Sequence, residues 1–175
     1  MSEILLLYSS TDGHTRKICQ RLKDVVEAHH HQVMLSSVED SSELDINGFD
    51  KIVIGARIRY GKHSPLIYDF IKTHQRILES KPNAFFSVNV VARKPEKNTP
   101  DTNPYIKKFL KQSPWKPRQV AVFAGKIEYR KYKFWDRQMI RFIMWITKGP
   151  TDLDTEVEFT DWKQVEAFGE VIQQM

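Results

Sequence analysis

Short apolar runs alternate along the chain with stretches in which apolar residues recur every third or fourth position. Residues 4–8 form a nearly continuous apolar run, which is typical of a strand covered on both faces. From Thr15 the period changes, and Ile18, Leu22 and Val26 fall on one face of a predicted helix. Strands that alternate with helices in this way predict a parallel sheet with helices on both of its faces.

Four later apolar runs continue the pattern and complete the predicted sheet. They cover residues 32–38, 51–56, 84–91 and 120–124. Ser64-Pro65 and Asn103-Pro104 each combine a capping residue with proline at the first helical position, and Thr160-Asp161 caps a predicted last helix. A chain of 175 residues is expected to form one domain, residues 1–175. We therefore predict an α/β fold with a doubly wound, five-stranded parallel sheet of order 2-1-3-4-5.

One long segment does not fit a simple five-stranded fold. After the fifth predicted strand, about thirty residues intervene before the last helix, which is more than most connections of this kind contain. We call this segment, from Lys126 to about Thr155, the insertion. Residues 40–47, by contrast, are polar and predict no more than a short helix.

The segment Ser9–Thr15, between the first predicted strand and the first helix, is the first candidate for a binding site. Five of its seven residues are hydroxylic or glycine. Hydroxyl donors, free backbone N–H groups and a helix N-terminus are what a bound phosphate requires. An ordinary helix cap is the alternative, but a cap requires only one such residue. The segment matches neither the dinucleotide fingerprint nor the Walker A pattern.

Residues 54–63, at the end of the third strand, are the second candidate. They are expected beside the Ser9–Thr15 loop, because strands one and three are neighbours in the predicted order and ligands of doubly wound folds lie beyond the carboxyl ends of the strands. Gly55 and Gly61 permit the backbone to approach a flat ring closely. Three cationic side chains accompany them: Arg57, Arg59 and Lys62. A solvated basic loop is the alternative for this segment. His63 is interpreted as a loop histidine without a catalytic role, the alternative being an acid–base group.

Three motifs together carry a family resemblance. They are Gly55-Ala56-x-Ile58-Arg59-Tyr60-Gly61, Ser87-Val88-Asn89-x-Val91-Ala92-Arg93-Lys94-Pro95-Glu96-Lys97 and Thr160-Asp161-Trp162. Ser10–Thr15 is in addition similar to the flavodoxin phosphate loop, with Asp12 where flavodoxins usually have threonine. Nearly all 175 residues, the insertion included, resemble the bacterial flavodoxin-like protoporphyrinogen oxidases, in which an aspartate is expected at position 12.

The resemblance implies a flavodoxin-like fold that binds FMN through the loops after strands one, three and four. The residues implied as FMN contacts are Ser10, Thr11, Asp12, Gly13, His14, Thr15, Ala56, Arg57, Ile58, Arg59, Tyr60, Gly61, Ser87, Val88, Asn89, Val90, Ala92 and Arg93. The implied reaction is the six-electron oxidation of protoporphyrinogen IX to protoporphyrin IX in haem biosynthesis, with a membrane quinone (menaquinone or ubiquinone) as acceptor.

Two other functions remain open at this point, and no catalytic base can be identified from the sequence. One is an FMN-dependent NAD(P)H:quinone reductase. The other is a flavodoxin electron carrier, although a carrier is expected to be acidic and to lack the insertion. This chain is basic instead, with a net charge of +5.

The insertion combines positive charge with aromatic and aliphatic side chains. Between Lys126 and Lys148, seven basic residues against two acidic ones give a net charge of +5. The apolar stretch 139–146 is shorter than the roughly 20 residues that a spanning helix needs. Basic flanks on such a helix favour contact with an anionic membrane surface over a lid buried on the domain, and over a nucleic-acid surface. The segment therefore predicts a peripheral protein at the cytoplasmic face of the inner membrane.

Candidate residues of the insertion for substrate or membrane contact are Arg130, Lys131, Lys133, Trp135, Arg137, Arg141 and Trp145. The implied substrate carries two propionates, and arginine pairs with a carboxylate through two parallel hydrogen bonds. One or more of the arginines Arg57, Arg59, Arg93 and Arg130 are therefore hypothesised to bind the propionates, and Lys131 and Lys133 add positive charge at the start of the insertion.

The remaining composition narrows the classes further. Cys19 is the only cysteine, so neither an internal disulfide nor a cysteine-rich metal site is expected. His29, His30 and His31 are adjacent in sequence and do not converge on one ion, and no metal is predicted. The N-terminus shows no basic region followed by an apolar stretch, so no signal peptide is expected and a cytoplasmic protein is predicted.

Overall fold

The computed structural model describes residues 1–175. The centre of the fold is one parallel sheet. Its strands are β1 (Glu3–Ser9), β2 (Gln32–Ser37), β3 (Lys51–Arg57), β4 (Asn83–Asn89) and β5 (Gln119–Ala124). All four neighbouring pairs are parallel, and the spatial order is β2-β1-β3-β4-β5. The predicted five-stranded sheet and its order are confirmed.

Helices cover both faces of this sheet. They are α1 (His14–Glu27), α2 (Pro65–Ser80), α3 (Pro104–Gln112), α4 (Phe134–Ile146) and α5 (Trp162–Gln174). Leu5 and Leu7 of β1 belong to the apolar core beneath α2 and α3, whereas Ile4 and Leu6 belong to the core beneath α1 and α5. Because both faces of every central strand are buried, the strands have the continuous apolar sequences from which they were predicted.

The helix starts are set by the capping residues that the sequence indicates. The Ser64 hydroxyl accepts a hydrogen bond from the Leu66 N–H (3.3 Å), and Asn103 accepts from two backbone N–H groups of α3. Asp161 does the same for α5. The polar segment after β2 forms only short 3₁₀ turns, over Val38–Glu43 and Ile46–Gly48.

Two predicted boundaries differ from the structure. The fourth strand was predicted to reach Val91, but β4 ends at Asn89, since the Asn89 side chain accepts a hydrogen bond from the Ala92 N–H (3.0 Å) and starts a 3₁₀ turn. The insertion extends beyond residue 155 and rejoins the domain at Phe159, whose N–H donates to the Gly125 carbonyl (3.0 Å).

The insertion forms a small unit of its own above the carboxyl edge of the sheet. Two strands that the sequence did not predict, β6 (Lys126–Glu128) and β7 (Glu156–Glu158), pair antiparallel at its base, and α4 lies between them in sequence. Ile127, Tyr129 and Met144 form a separate buried cluster beneath α4. None of the helices has the length and apolar character needed to cross a bilayer.

Candidate functional site

A cavity of about 590 Å³ lies where the loops after β1, β3 and β4 face the insertion. Its sheet-side lining comes from Thr11, Asp12, Arg57, Ile58, Arg59, Tyr60, Gly61, Asn89, Val90, Val91 and Tyr105. Its other wall comes from Lys126, Ile127, Lys131, Tyr132, Lys133, Asp136, Met139, Ile140, Ile143 and Met144. A volume in this range suits an organic ligand, and the wall of the insertion is mainly apolar.

The loop after β1 presents the start of α1 to this region. Gly13 is the N-cap of α1, with a φ of 86°, and its N–H donates to the Ser10 hydroxyl (3.0 Å). The Ser9 hydroxyl is buried and has no hydrogen-bond partner within the protein. A buried hydroxyl of this kind normally has a partner, so it indicates a position where a polar ligand group completes the hydrogen bonding.

Asp12 contacts both the start of α1, where its Oδ1 accepts a hydrogen bond from the His14 N–H (3.4 Å), and the end of β3. Its carboxylate forms an ion pair with the Arg57 guanidinium (2.9 Å), and both side chains are mostly buried. The pair ties the loop after β1 to the loop after β3 along one edge of the cavity. It also neutralises an acidic group that would otherwise oppose an anionic ligand at the helix N-terminus.

His14 faces away from the cavity, towards the start of α5. Its Nε2 lies 2.7 Å from the Thr160 hydroxyl, which itself donates to the Ala124 carbonyl (2.7 Å). Because Thr160 has one proton, which it donates to Ala124, the Nε2–H of His14 is the donor of the other bond. Burial lowers the pKa of His14, against the opposing effect of Glu158, and favours this neutral form. The His14 side chain thus contacts Thr160 and does not line the cavity, and its role as a ligand residue stays a prediction.

The loop after β3 ends in a tight turn. Arg59 and Lys62 exchange two backbone hydrogen bonds (2.9 and 3.1 Å), and the central residues Tyr60 and Gly61 have φ values of 50° and 75°. Two positive φ angles are typical of the type I′ turn, which requires glycine or a residue that tolerates this conformation. The turn places the half-exposed Tyr60 ring at the rim of the cavity, beneath the Arg59 guanidinium (5.1 Å).

Several predicted FMN contacts have side chains in the core instead of the cavity. Ala56, Ser87, Val88 and Ala92 are buried, and their side chains do not line the cavity. They lie in the sheet or in the turn after β4, where alternate residues point into the two cores. Ile58, Asn89 and Val90 do line the cavity. Contact of any of these residues with FMN stays a prediction.

A buried polar network supports the loop after β4 from below. The Asn89 amide donates to Ser87 and to Asn103 (both 3.3 Å), and Asn103 donates back to the Asn89 carbonyl oxygen (3.1 Å). His63 Nε2 lies 2.8 Å from the Ser87 hydroxyl. Burial among aromatic rings, with a smaller effect of Lys108, lowers the pKa of His63 to about 4. His63 is thus neutral near pH 7 and part of this scaffold, and the interpretation that it has no catalytic role stays a prediction.

Helix α4 has two apolar faces with different surroundings. Met139, Ile140, Ile143 and Met144 line the cavity. The opposite face is exposed to solvent, with Phe134, Trp135, Phe142, Trp145 and Ile146 each more than half exposed. The sequence missed the cavity-lining residues because α4 is apolar nearly all round, although their spacing of three and four could have identified one face. The alternatives of lid and surface helix therefore describe two faces of the same helix.

The basic residues singled out around the predicted substrate site fall into two groups. Arg57, Arg59, Lys131 and Lys133 line the cavity. Arg93 instead donates to the Thr147 carbonyl and hydroxyl (both 3.1 Å) and so holds the C-terminal end of α4.

Arg130 pairs with Asp154 on the exposed surface (3.1 Å), and Arg137 donates to the Tyr129 and Tyr132 carbonyls (3.1 and 3.3 Å). Arg93 and Arg130 do not line this cavity, and a role for either of them in binding propionates stays a prediction. Trp135, Arg141 and Trp145 do not line the cavity and belong to the outer face of the insertion.

The sheet order and the three loops at its carboxyl edge define a flavodoxin-like protein. Residues 5–154 match the family described as Flavodoxin domain. The chain is also 44% identical to protoporphyrinogen IX dehydrogenase [quinone] of Escherichia coli strain K12, over 96% of this chain and 93% of that protein. The same description belongs to a Leishmania major protein that is 42% identical over 94% of this chain and 71% of that protein. The chain therefore belongs to the flavodoxin-domain family and, within it, to the family of these quinone-dependent dehydrogenases.

Solved structures agree with the fold. Flavodoxin 1 of Bacillus cereus superposes with a TM-score of 0.57 over 99% of this chain and 98% of its own, at 16% identity. A short-chain flavodoxin associated with a bacterial microcompartment gives a TM-score of 0.58 at 12% identity, over 99% and 98% of the two chains. The family confirms the predicted fold, the class of cofactor and the class of enzyme, an oxidoreductase.

The residues present fit a flavin mononucleotide. Three features suit a bound phosphate: the positive end of α1, the hydroxyls of the Ser10–Thr15 loop and the unpartnered Ser9 hydroxyl. Two features suit a flat ring: the exposed side chain of Tyr60 and the open space around the Cα of Gly61. These features agree with FMN, the cofactor that the family implies.

Proposed function

We propose that the protein is an FMN-dependent dehydrogenase that oxidises protoporphyrinogen IX to protoporphyrin IX and passes the electrons to a membrane quinone. The observation that carries the proposal is the large cavity between the loops after β1, β3 and β4 on one side and an apolar wall formed by α4 on the other. A simple electron carrier does not need such a wall. The names of the relatives that match over nearly the whole chain support the same reaction.

The loops divide the task of holding FMN. We infer that Ser10, Thr11, Gly13 and Thr15, with the first backbone N–H groups of α1, bind the phosphate. The turn Arg59–Lys62 and residues Asn89–Val91 then border the ring. When bound, FMN supplies an acceptor that takes a hydride from carbon and gives electrons to a quinone. The Asp12–Arg57 pair (2.9 Å) fixes the distance between the two loops.

The cavity residues position the substrate and exclude water. Methionine and isoleucine side chains of α4 offer an apolar surface for a flat tetrapyrrole, and cations at the rim offer partners for its two propionates. Burial raises the pKa values of Tyr105 and Tyr132 above the ordinary value. Both phenols therefore stay protonated at neutral pH and act as hydrogen-bond donors, not as bases.

Removal of two electrons from carbon also releases a proton, and the cavity has no histidine among its lining residues. Asp136 is its only carboxylate besides Asp12, and each of the two is paired with an arginine. Neither carboxylate is thus free to act as a general base before the substrate binds, and we propose no general base from the side chains. In this scheme protons leave the substrate nitrogens through water at the open side of the cavity.

The outer face of α4 gives the proposed enzyme access to its acceptor. Exposed aromatic side chains of this face stand next to Lys133, Arg141 and Lys148, which are also exposed. Such a surface suits an anionic membrane, with the helix lying in the interface. We propose that the protein works as a peripheral protein at the cytoplasmic face of the inner membrane and meets menaquinone or ubiquinone there.

A direct assay tests the proposed function. Purified protein with stoichiometric FMN should convert protoporphyrinogen IX to the fluorescent porphyrin when a quinone is present and oxygen is excluded. Three quinone molecules should be reduced for each porphyrin formed, because six electrons leave in pairs. Rapid oxidation of NAD(P)H without porphyrin formation would favour the quinone reductase. An absence of both activities would favour the electron carrier.

A further inference from the structure

We propose that Asp136 is an internal competitor for the carboxylates of the substrate, which displace it from Arg59 on binding. This inference rests on the proposed function, since it takes a flat macrocycle with two carboxylates as the ligand. In this view Asp136 weakens the binding of a dicarboxylate, while Arg59 is the site at which one carboxylate is finally held.

The geometry of the pair places it inside the cavity. Asp136 Oδ2 lies 2.8 Å from Arg59 Nη2, and both residues line the cavity. The Asp136 side chain is 15% exposed and that of Arg59 is 44% exposed. A carboxylate from a ligand can therefore reach the guanidinium from the open side while Asp136 approaches from the wall of the insertion.

The position of Asp136 on α4 makes the exchange feasible. Asp136 lies in the first turn of α4. There the helix dipole stabilises its negative charge even when no cation is paired with it. When a ligand carboxylate replaces it on Arg59, one ionic hydrogen bond is exchanged for another and the released aspartate keeps a favourable environment. Arg59 thus changes partners, from the first turn of α4 to the ligand.

A second cation of the cavity, Lys133, has no competing carboxylate, whereas the other two lysines of the cavity are already paired. Lys131 pairs with Glu128 (2.9 Å), and Lys126 pairs with Glu128 (3.3 Å) and Glu156 (2.5 Å). Lys133 lines the cavity as well, but no carboxylate lies within 4.0 Å of its ammonium. One carboxylate of the ligand therefore binds Lys133 directly, and only the other must displace Asp136.

The test compares binding of a dicarboxylic porphyrin with binding of its dimethyl ester. Protoporphyrin IX, or the ester, is titrated with FMN-loaded protein, and the shift of the Soret band gives the dissociation constant. We expect Asp136→Asn to lower the dissociation constant for the diacid by about two- to fivefold, the range of an exposed ion pair, and to leave the value for the ester unchanged. Asp154→Asn, which removes the same charge from a pair outside the cavity, should change neither constant.

A double-mutant cycle separates competition from a general electrostatic effect. In an Arg59→Ala background, Asp136→Asn should no longer strengthen binding of the diacid, because the contested guanidinium is gone. An unchanged or raised dissociation constant in the single variant, an equal gain for the ester, or a gain that persists without Arg59 would each overturn the proposal. So would a wild-type protein that does not bind the diacid. The turnover assay tests the proposed function separately, because it uses the wild-type enzyme and its reduced substrate.

Discussion

Gly13 combines two properties that a phosphate site requires of a single residue. It begins α1 with a φ of 86°, and no atom lies within 4 Å of the position that a Cβ would occupy. A side chain at this position therefore meets space in the structure, but the backbone conformation is unfavourable and a charge would face the ligand. The spacing of hydroxyls and glycine in the sequence predicts this loop well, because the turn is determined by residues adjacent in the chain.

We expect Gly13→Asp to abolish retention of FMN while the protein stays folded. Aspartate tolerates a positive φ better than most residues, so the principal effect is repulsion between its carboxylate and the phosphate. Flavin absorbance after gel filtration measures retention, and circular dichroism checks the fold. Gly48→Asp is the matched control, since Gly48 precedes β3 at the other end of the sheet and has open space around it. Normal FMN content in Gly13→Asp would contradict the assignment of this loop.

His63 shows a different relation between sequence and structure. As a loop residue it was expected to be unremarkable, yet it is 5% exposed and lies with its ring edge-on to Phe85 and Phe109. The sequence could not predict this environment because Ser87, Phe85 and Phe109 come from two other elements, β4 and α3. Contacts between distant elements decide the state of such a residue, and local spacing carries no signal for them.

The lowered pKa of His63 predicts a loss of stability in acid. In the unfolded chain a histidine titrates near its ordinary value of 6.5, whereas His63 in the folded protein titrates at about 4. Between these values the unfolded state binds more protons, so the free energy of unfolding falls as the pH falls. The loss attributable to His63 reaches about 3 kcal/mol at pH 4, at 1.36 kcal/mol per pKa unit.

Urea unfolding at several pH values between 7 and 4 can measure this effect. We expect His63→Gln to reduce the dependence of stability on pH, although His14, whose pKa is also lowered, keeps part of it. His30→Asn is a suitable control, because His30 is exposed and its φ of 64° is one that asparagine tolerates. A pH dependence identical to that of the wild type in His63→Gln would show that His63 is protonated in the folded protein.

At the scale of elements, α4 was the hardest to interpret from sequence. A helix that is apolar on nearly every side is expected to be buried on both sides, but its sequence does not identify the elements that cover it. The structure assigns one side to the cavity, while the other is left exposed, with Trp135 and Trp145 at 78% and 70% exposure. The central elements were easier, since the continuous apolar runs of β1, β3 and β4 and the caps of α2, α3 and α5 are local features.

The exposed face of α4 predicts salt-sensitive binding to anionic vesicles. We expect the double variant Trp135→Ser and Trp145→Ser to bind at least about tenfold more weakly, because partial burial of two indole rings contributes about 2 kcal/mol. Raising the ionic strength should weaken binding of both proteins, through screening of the neighbouring cations. Cosedimentation with vesicles that contain an anionic lipid gives the binding constants.

A second double variant controls for the loss of exposed apolar surface in general. Met34 and Leu66 are about half exposed and lie on β2 and α2, outside the insertion. Their replacement by serine should leave vesicle binding unchanged. Equal loss in the two double variants, or binding that does not depend on salt, would argue that α4 does not form the membrane contact.

At the scale of the whole molecule, the protein consists of a flavodoxin-like domain and an insertion whose two ends meet beside β5. The two large cores of the sheet are formed without α4, whose only buried residue, Met144, belongs to the small cluster with Ile127 and Tyr129. The sequence predicts the location and approximate length of the insertion because the strand–helix alternation is interrupted there. It does not predict the β6–β7 hairpin, since each strand has only three residues and too short a pattern.

The two ends of the insertion meet in a way that permits its removal. The Phe159 N–H donates to the Gly125 carbonyl (3.0 Å), and the Thr160 hydroxyl donates to the Ala124 carbonyl (2.7 Å). Replacing residues 126–158 by Asn-Gly would close this pair with a two-residue turn. We expect the shortened protein to fold and to bind FMN, because the loops after β1, β3 and β4 all belong to the remaining domain.

The shortened protein should have lost protoporphyrinogen oxidation while it still transfers electrons. Its flavin would be reduced by dithionite and reoxidised by a soluble quinone, as expected for a small electron carrier, but one wall of the substrate cavity would be missing. Turnover of protoporphyrinogen with a quinone should fall by a factor of about 100 or more, since positioning of the substrate contributes at least that much to catalysis. Near-normal turnover by a shortened protein with full FMN content would mean that the sheet-side loops alone recognise the substrate, and that α4 serves only the membrane.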